Sequence, residues 1–198
     1  MLNQLLKDHP ALTACRAELE AARELIVKTY ENGGKLLLCG NGGSAADCDH
    51  IVGELMKGFK SKRTVTDPRI PEDVRRKLQG ALPAISLCNG TSITTAFAND
   101  ADPTMTFAQL VYGYAREGDL LVGLSTSGNS QNVVQAMRVA NALGVATLAL
   151  TGEAESKLSA IATVTVRVPA TETYRVQEYH LPVYHYLCAA VEAHFFGE

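Results

Sequence analysis

Residues 35–54, KLLLCGNGGSAADCDHIVGE, decide the fold. Leu36, Leu37, Leu38 and Cys39 form an unbroken apolar run, the pattern of a parallel strand buried on both faces. Gly40-Asn41-Gly42-Gly43 breaks the run, and Ser44 is placed to cap a helix from Ala45 onward. Strand, glycine loop and helix start together aim free backbone N–H groups at an anion. His50 and Glu54 follow at a four-residue spacing, on one face of that helix and about two turns beyond the loop. The stretch therefore places a phosphate cradle beside an acid/base or metal pair. A lone helical His is usually structural, but His-x-x-x-Glu has the look of half a metal site, and Glu is a natural general base.

Bulk properties narrow the class. The chain has 198 residues, enough for one α/β domain with a substantial core. A net charge of −3 gives no global attraction to nucleic acid or to a membrane surface. Five cysteines without a Cys-x-x-Cys pair read as reduced thiols, as expected in the cytoplasm. The opening residues MLNQLLKDHP contain no signal-peptide apolar stretch, and no run approaches the ~18 apolar residues of a membrane span.

Outward from the central stretch, strands and helices alternate. Helical periodicity over 10–33 ends at Gly33-Gly34. Strand 35–39 and helix 44–58 come next. Residues 59–80 form a basic excursion, in which Lys60, Lys62, Arg63, Arg69, Arg75, Arg76 and Lys77 outnumber Asp67, Glu72 and Asp73. Pro71-Glu72-Asp73 followed by Arg75-Arg76-Lys77 spells a short helix with charges matched to its dipole. The excursion reads either as a solvated surface loop or as a basic lid over an anionic substrate. Strand 83–88, a helix from Thr91 interrupted at Asn99-Asp100, and a helix over 103–116 follow. Strand 119–125, helix 131–142, strand 145–150, a short helix near 154–161, strand 163–168 and a long helix from about Arg175 complete the chain. The predicted architecture is a three-layer α/β sandwich around a five-stranded parallel sheet, with the whole chain, 1–198, as one domain.

A second loop strengthens the anion reading. Ser125-Thr126-Ser127-Gly128-Asn129-Ser130 also follows a strand and opens a helix, and its four hydroxyls suit a phosphate monoester. No Gly-Lys-Ser/Thr triphosphate loop is present, and the first loop lacks the spacing of a dinucleotide fingerprint. Ligands of open parallel sheets bind beyond the carboxyl ends of strands, where both loops lie. A small phosphorylated metabolite is the expected ligand. On the last helix, Gln177, His180, Tyr184 and His185 recur at spacings that share one broad face, and Pro182 should kink the helix there. His194, near the end, is expected at the surface. An inter-subunit hydrogen-bond network is the alternative role for Gln177 and His185.

With these motifs in place, GNGGS…HxxxE, the FAND stretch, STSGNS, LTG and RVQEYHLPVYH resemble the sugar isomerase (SIS) domain family. The fold this implies is SIS-type and flavodoxin-like. More closely, the motifs resemble the phosphoheptose isomerases, which convert sedoheptulose 7-phosphate to glycero-manno-heptose 7-phosphate. The resemblance covers nearly the whole chain. It implies substrate contacts by Asn41, Gly42, Gly43, Ser44, Glu54, Asn99, Asp100 and Gln177, and a phosphate grip by Ser125, Thr126, Ser127 and Ser130. It implies a zinc site of His50, Glu54, Gln177 and His185, acid/base roles for Glu54 and His185 through an enediolate, and a cytoplasmic homotetramer with sites at subunit interfaces. Two departures lie close to the expected sugar. Lys57-Gly58-Phe59, opening a longer 59–80 segment, replaces the family's Gly-Arg pattern, and Tyr174 stands where those enzymes tend to have Asp. The alternatives are a non-catalytic SIS protein that binds a replication initiator, and a phosphosugar-sensing module. The non-catalytic relative lacks the Glu and the final His, both of which are present here.

Overall fold

The computed structural model describes residues 1–197. In chain order it contains α1 (Leu2–Asp8), a 3-10 segment (Pro10–Cys15), α2 (Arg16–Glu31), β1 (Leu36–Gly40), α3 (Gly43–Met56), α4 (Glu72–Arg75) and β2 (Ala84–Ser86). There follow α5 (Thr91–Asp100), a 3-10 turn (Pro103–Met105), α6 (Thr106–Tyr114), β3 (Leu120–Leu124), α7 (Gln131–Ala142), β4 (Ala146–Thr151), β5 (Val164–Arg167) and α8 (Thr173–Phe196). The five strands pair in parallel in the order β2-β1-β3-β4-β5. The expected five-stranded α/β sandwich is therefore what forms.

Alternation along each strand divides the core in two. Leu36, Leu38, Leu120, Val122 and Leu148 point to one face, where they meet Leu19, Ile26, Ile51, Leu55, Val183 and Leu187 from α2, α3 and α8. Leu37, Cys39, Leu121 and Ala149 point to the other, against Phe107, Val111, Val133 and Met137 from α6 and α7. The apolar run at 36–39 is continuous because both faces of β1 are covered. Among the described residues no helix is long and apolar enough to cross a membrane.

Several expectations need correction. The helix expected over 10–33 is divided, because Pro10 opens a tighter 3-10 segment. Cys15 then leaves the helical basin (φ −114°, ψ 26°), its thiol donating to the Leu12 carbonyl at 3.3 Å, before α2 starts at Arg16. Ser44 does not cap α3. The cap position is Gly42, which adopts φ +55° as only glycine does freely, so the helix starts earlier and Ser44 lies buried within it. The short helix expected near 154–161 is a set of turns. There the Ser156 N–H donates to Ser159 Oγ at 2.8 Å, and Ser159 Oγ donates to the Ser156 carbonyl at 2.9 Å, competing with helical bonding. Asn99 and Asp100 close α5 rather than interrupt it.

Candidate functional site

The strand order reverses between β1 and β3, which are adjacent but send their connections in opposite directions. Ligands of doubly wound sheets bind in the crevice at that switch point, beyond the carboxyl ends of the strands. The loop after β1 and the loop after β3 form its two walls. A reciprocal amide pair joins them: Asn41 Nδ2 donates to Asn132 Oδ1 at 3.0 Å, and Asn132 Nδ2 donates to Asn41 Oδ1 at 2.8 Å.

The second loop is preorganised. Ser125 Oγ and Ser130 Oγ are 2.9 Å apart, and Ser127 Oγ accepts from the Asn129 N–H at 3.2 Å. Ser125 is buried, Ser127 is exposed, and Thr126 and Ser130 are intermediate. The turn is buttressed from the 154–161 segment, where Leu158 N–H donates to the Gly128 carbonyl at 3.0 Å and Lys157 N–H donates to Asn129 Oδ1 at 3.1 Å. In the first loop, a Cβ at Gly43 would stand 2.5 Å from Gln177 Nε2, so glycine lets the α8 amide close on that loop.

Across the crevice, α3 and α8 bring the acid/base candidates together. His50 Nε2 lies 3.2 Å from Glu54 Oε1 and 3.4 Å from His185 Nε2. The His50 and His185 rings meet edge-on, with centroids 5.0 Å apart. Lys57 Nζ approaches Glu54 Oε2 at 3.5 Å, and the Phe59 ring lies 5.6 Å from the His185 ring, centroid to centroid. Burial holds the His185 imidazole below the ordinary histidine range, and the neighbouring His50 adds to this against the opposing pull of Glu54.

Tyr184, one of the residues grouped on the α8 face from sequence, and Asp47, which sequence reasoning missed, complete its support. Tyr184, 2% exposed, places its hydroxyl 3.0 Å from His50 Nδ1 and 3.2 Å from Asp47 Oδ1. An ionised carboxylate only accepts, so the Tyr184 O–H donates to Asp47 and its oxygen accepts from His50 Nδ1–H. The contact with Tyr184 orients the His50 ring so that its Nε2 faces Glu54 and His185. Asp47 Oδ2 is buried with no partner. Asp47 stands three residues before His50, a spacing that marks the same helix face.

Among the described residues no group of three or more His, Cys, Asp or Glu side chains is assembled around one point. The predicted metal donors meet pairwise, with Gln177 turned to Gly43. Even so, His50 Nε2 lies within 3.4 Å of both Glu54 Oε1 and His185 Nε2. Imidazole nitrogens and carboxylate oxygens are donor types that zinc takes.

Other predicted residues are not drawn together. Asn99 Nδ2 donates to Asp100 Oδ1 at 2.8 Å, and both are exposed at the end of α5, a helix in which no residue is buried. His180 turns away from Gln177 and His185 into the core, its Nε2 3.4 Å from the Thr151 carbonyl. The basic side chains Lys62, Arg75, Arg76 and Lys77 line a separate concavity with no site residue among its walls, which favours the surface-loop reading of the excursion over the lid. His194 is exposed and meets Glu31 at 2.9 Å.

Comparison with known proteins bears on the family of the chain. The SIS domain family model matches residues 9–152. The chain is 37% identical over 198 residues to a phosphoheptose isomerase of Akkermansia muciniphila, covering 98% of this chain and 96% of the relative. It is 41% identical over 181 residues to that of Geotalea daltonii, covering 91% and 86%. Among solved structures it is similar to the phosphoheptose isomerase GmhA from Neisseria gonorrhoeae, with a TM-score of 0.79, 32% identity and coverage of 96% and 94%.

Proposed function

From the premise that this chain belongs to the SIS domain family, and within it to the phosphoheptose isomerases, we propose how its residues act and on which sugar. The chain is a phosphosugar isomerase. Its substrate pair is sedoheptulose 7-phosphate and D-glycero-D-manno-heptose 7-phosphate. Ser125, Thr126, Ser127 and Ser130 hold the phosphate, and Asn41, Gly42, Gly43, Ser44 and Gln177 line the path of the sugar. One observation carries the reading: Glu54, His50 and His185 converge from two helices, while Asn41 and Asn132 tie together the two loops read as anion-binding.

Glu54 takes the proton from the carbon next to the carbonyl and returns it to the neighbouring carbon. His185, held neutral by its surroundings, carries the proton between the two oxygens of the enediolate. Backbone and hydroxyl donors orient the chain so that both carbons face Glu54. Zinc, held by His50, Glu54, Gln177 and His185, would supply Lewis-acid stabilisation of the developing oxyanion. Ligation and base action by Glu54 compete, so its carboxylate serves one role at a time.

A cytoplasmic homotetramer with sites at subunit interfaces completes the proposal. It is supported by α5, which buries nothing in the single chain, carries Asn99 and Asp100, and lies in a region with exposed Ile93, Tyr112 and Tyr114. The presence of Glu54 and His185 disfavours a non-catalytic initiator-binding role. The deciding experiment is turnover of sedoheptulose 7-phosphate by the purified protein, with and without a chelator. Absence of turnover with this and other phosphosugars after zinc addition overturns the proposal.

A further inference from the structure

The end of α3 is built differently from the other helix ends. Among the described residues, every other α-helix closes with a backbone N–H from its C-cap residue to a carbonyl of its last turn. At α3 the chain leaves in an extended conformation at Lys57 (φ −138°, ψ 174°) and no such bond forms. The last carbonyls of a helix need partners; here the Leu82 N–H donates to the Leu55 carbonyl at 2.9 Å, and the Arg63 side chain reaches two of these carbonyls. Arg63 Nη2 donates to the Glu54 carbonyl at 2.9 Å, and Nη1 donates to the Leu55 carbonyl at 2.5 Å.

Arg63 is fixed in turn by α8. Its side chain is fully buried, and its Nε donates to Glu192 Oε1 at 2.7 Å. Glu192 also accepts from the backbone N–H groups of Phe59 at 2.8 Å, Lys60 at 2.7 Å and Ser61 at 3.3 Å. The Phe196 ring covers the guanidinium at 4.9 Å. Arg63 adopts φ +42°, the one positive φ at a non-glycine among the described residues. A bulky residue holds that conformation only where its surroundings fix it. Burial alone pushes the Glu192 carboxyl up, yet the Phe59 and Lys60 N–H groups and Arg63 outweigh it and hold the group below the usual carboxylate range.

We infer that Arg63 and Glu192 are positioning residues for the reaction: a buried clamp that sets Glu54 against His185 by tying the last turn of α3 to α8. The clamp acts at both ends of the pair. Arg63 grips the backbone of Glu54 itself, and Glu192 holds the backbone of Phe59, whose ring lies against His185. Lysine cannot replace it, because a single ammonium cannot present three directed N–H groups in one plane. The catalytic half of this inference rests on the proposed function of Glu54 and His185.

The test compares wild type, Arg63→Lys and Arg63→Ala by steady-state kinetics and by amide exchange of residues 52–56. Arg63→Ala is expected to lower kcat at least tenfold with KM changed less than threefold, because the phosphate loop after β3 is untouched. Exchange in 52–56 should accelerate, and added guanidinium at millimolar concentration should restore part of kcat by refilling the vacated space. Arg63→Lys, which keeps the charge and is the variant more certain to fold, should show the same kcat–KM split in weaker form. Wild-type kcat in both variants, or unchanged exchange in 52–56, overturns the clamp. Wild-type protein inert toward phosphosugars overturns the functional reading and the catalytic half with it, while the exchange data still decide the mechanical half.

Discussion

The Tyr184 hydroxyl stands 3.0 Å from His50 Nδ1 and holds that imidazole with its Nε2 toward Glu54 and His185. Partners of this kind typically matter by 10–100-fold in activity or metal affinity when removed. Tyr184→Phe keeps the ring packing and deletes only the relay to Asp47. It is expected to lower kcat by roughly 10–100-fold with little loss of thermal stability. Steady-state kinetics and a melting curve on the same preparation check both halves.

Glu54→Gln and His185→Ala remove the two groups assigned to proton transfer. General acid–base groups contribute typically 10²–10⁴-fold, so each variant should lose about that factor in kcat while still binding the phosphosugar. Calorimetric binding alongside kinetics separates the two effects. Turnover intact in both variants would remove the catalytic assignment. A chelator should lower activity in wild type, with recovery on adding zinc.

Ser127→Ala and Ser130→Ala each delete a hydroxyl of the second loop. A hydrogen bond to a charged acceptor is worth about 1.5–3 kcal/mol, so phosphosugar binding should weaken roughly 10–100-fold per substitution. Asn132→Ala leaves the phosphate hydroxyls alone but unties Asn41. It should weaken binding by less, about 0.5–1.5 kcal/mol. Inorganic phosphate binding by calorimetry should respond to the serine changes and not to the asparagine change.

His180 gives a pH prediction for stability. Burial pushes its pKa down to about 4 from 6.5, with the Thr151 carbonyl opposing. The unfolded chain therefore takes up a proton that the folded chain refuses. Stability from this group is full above about pH 6.5 and is lost progressively as pH falls toward 4, roughly 3 kcal/mol in all. Wild-type melting temperature should fall across that interval, and His180→Gln should show a shallower slope. Equal slopes would remove the assignment.

Association is tested at the exposed aromatic surface. Tyr112 is 67% exposed in the single chain. Light scattering should report a tetramer for wild type and smaller species for Tyr112→Glu, with activity falling as the assembly dissociates. A monomer with full activity would contradict sites shared between subunits.

Much of this was legible in the sequence because the signals are local. The apolar run at 36–39 marks a strand covered on both sides, and both loops announce themselves by glycine and hydroxyl content between strand and helix. The four-residue spacing of His50 and Glu54 survives in the structure as a 3.2 Å contact. What was not legible is what depends on distant partners. The Ser44 cap failed because Gly42 can take a positive φ, and the expected 154–161 helix gave way to Ser156–Ser159 bonds in a segment whose Lys157 and Leu158 N–H groups buttress the second loop. The Asn41–Asn132 pair spans 91 positions and Arg63–Glu192 spans 129, separations that no local pattern encodes. His180 shares a spacing with the site residues yet points inward, since a periodicity names a face of a helix but not the width of the cavity beside it.

The tie between Asn41 and Asn132 carries a consequence for selectivity. On the proposed reading, with the two rims of the crevice fastened to each other and each seated on its own strand, the span from phosphate grip to proton-transfer pair is set by backbone elements. On that reading the pocket works as a gauge of substrate length. A sugar phosphate whose carbonyl sits too near its phosphoryl group can fill one end or the other, but not both in the same moment.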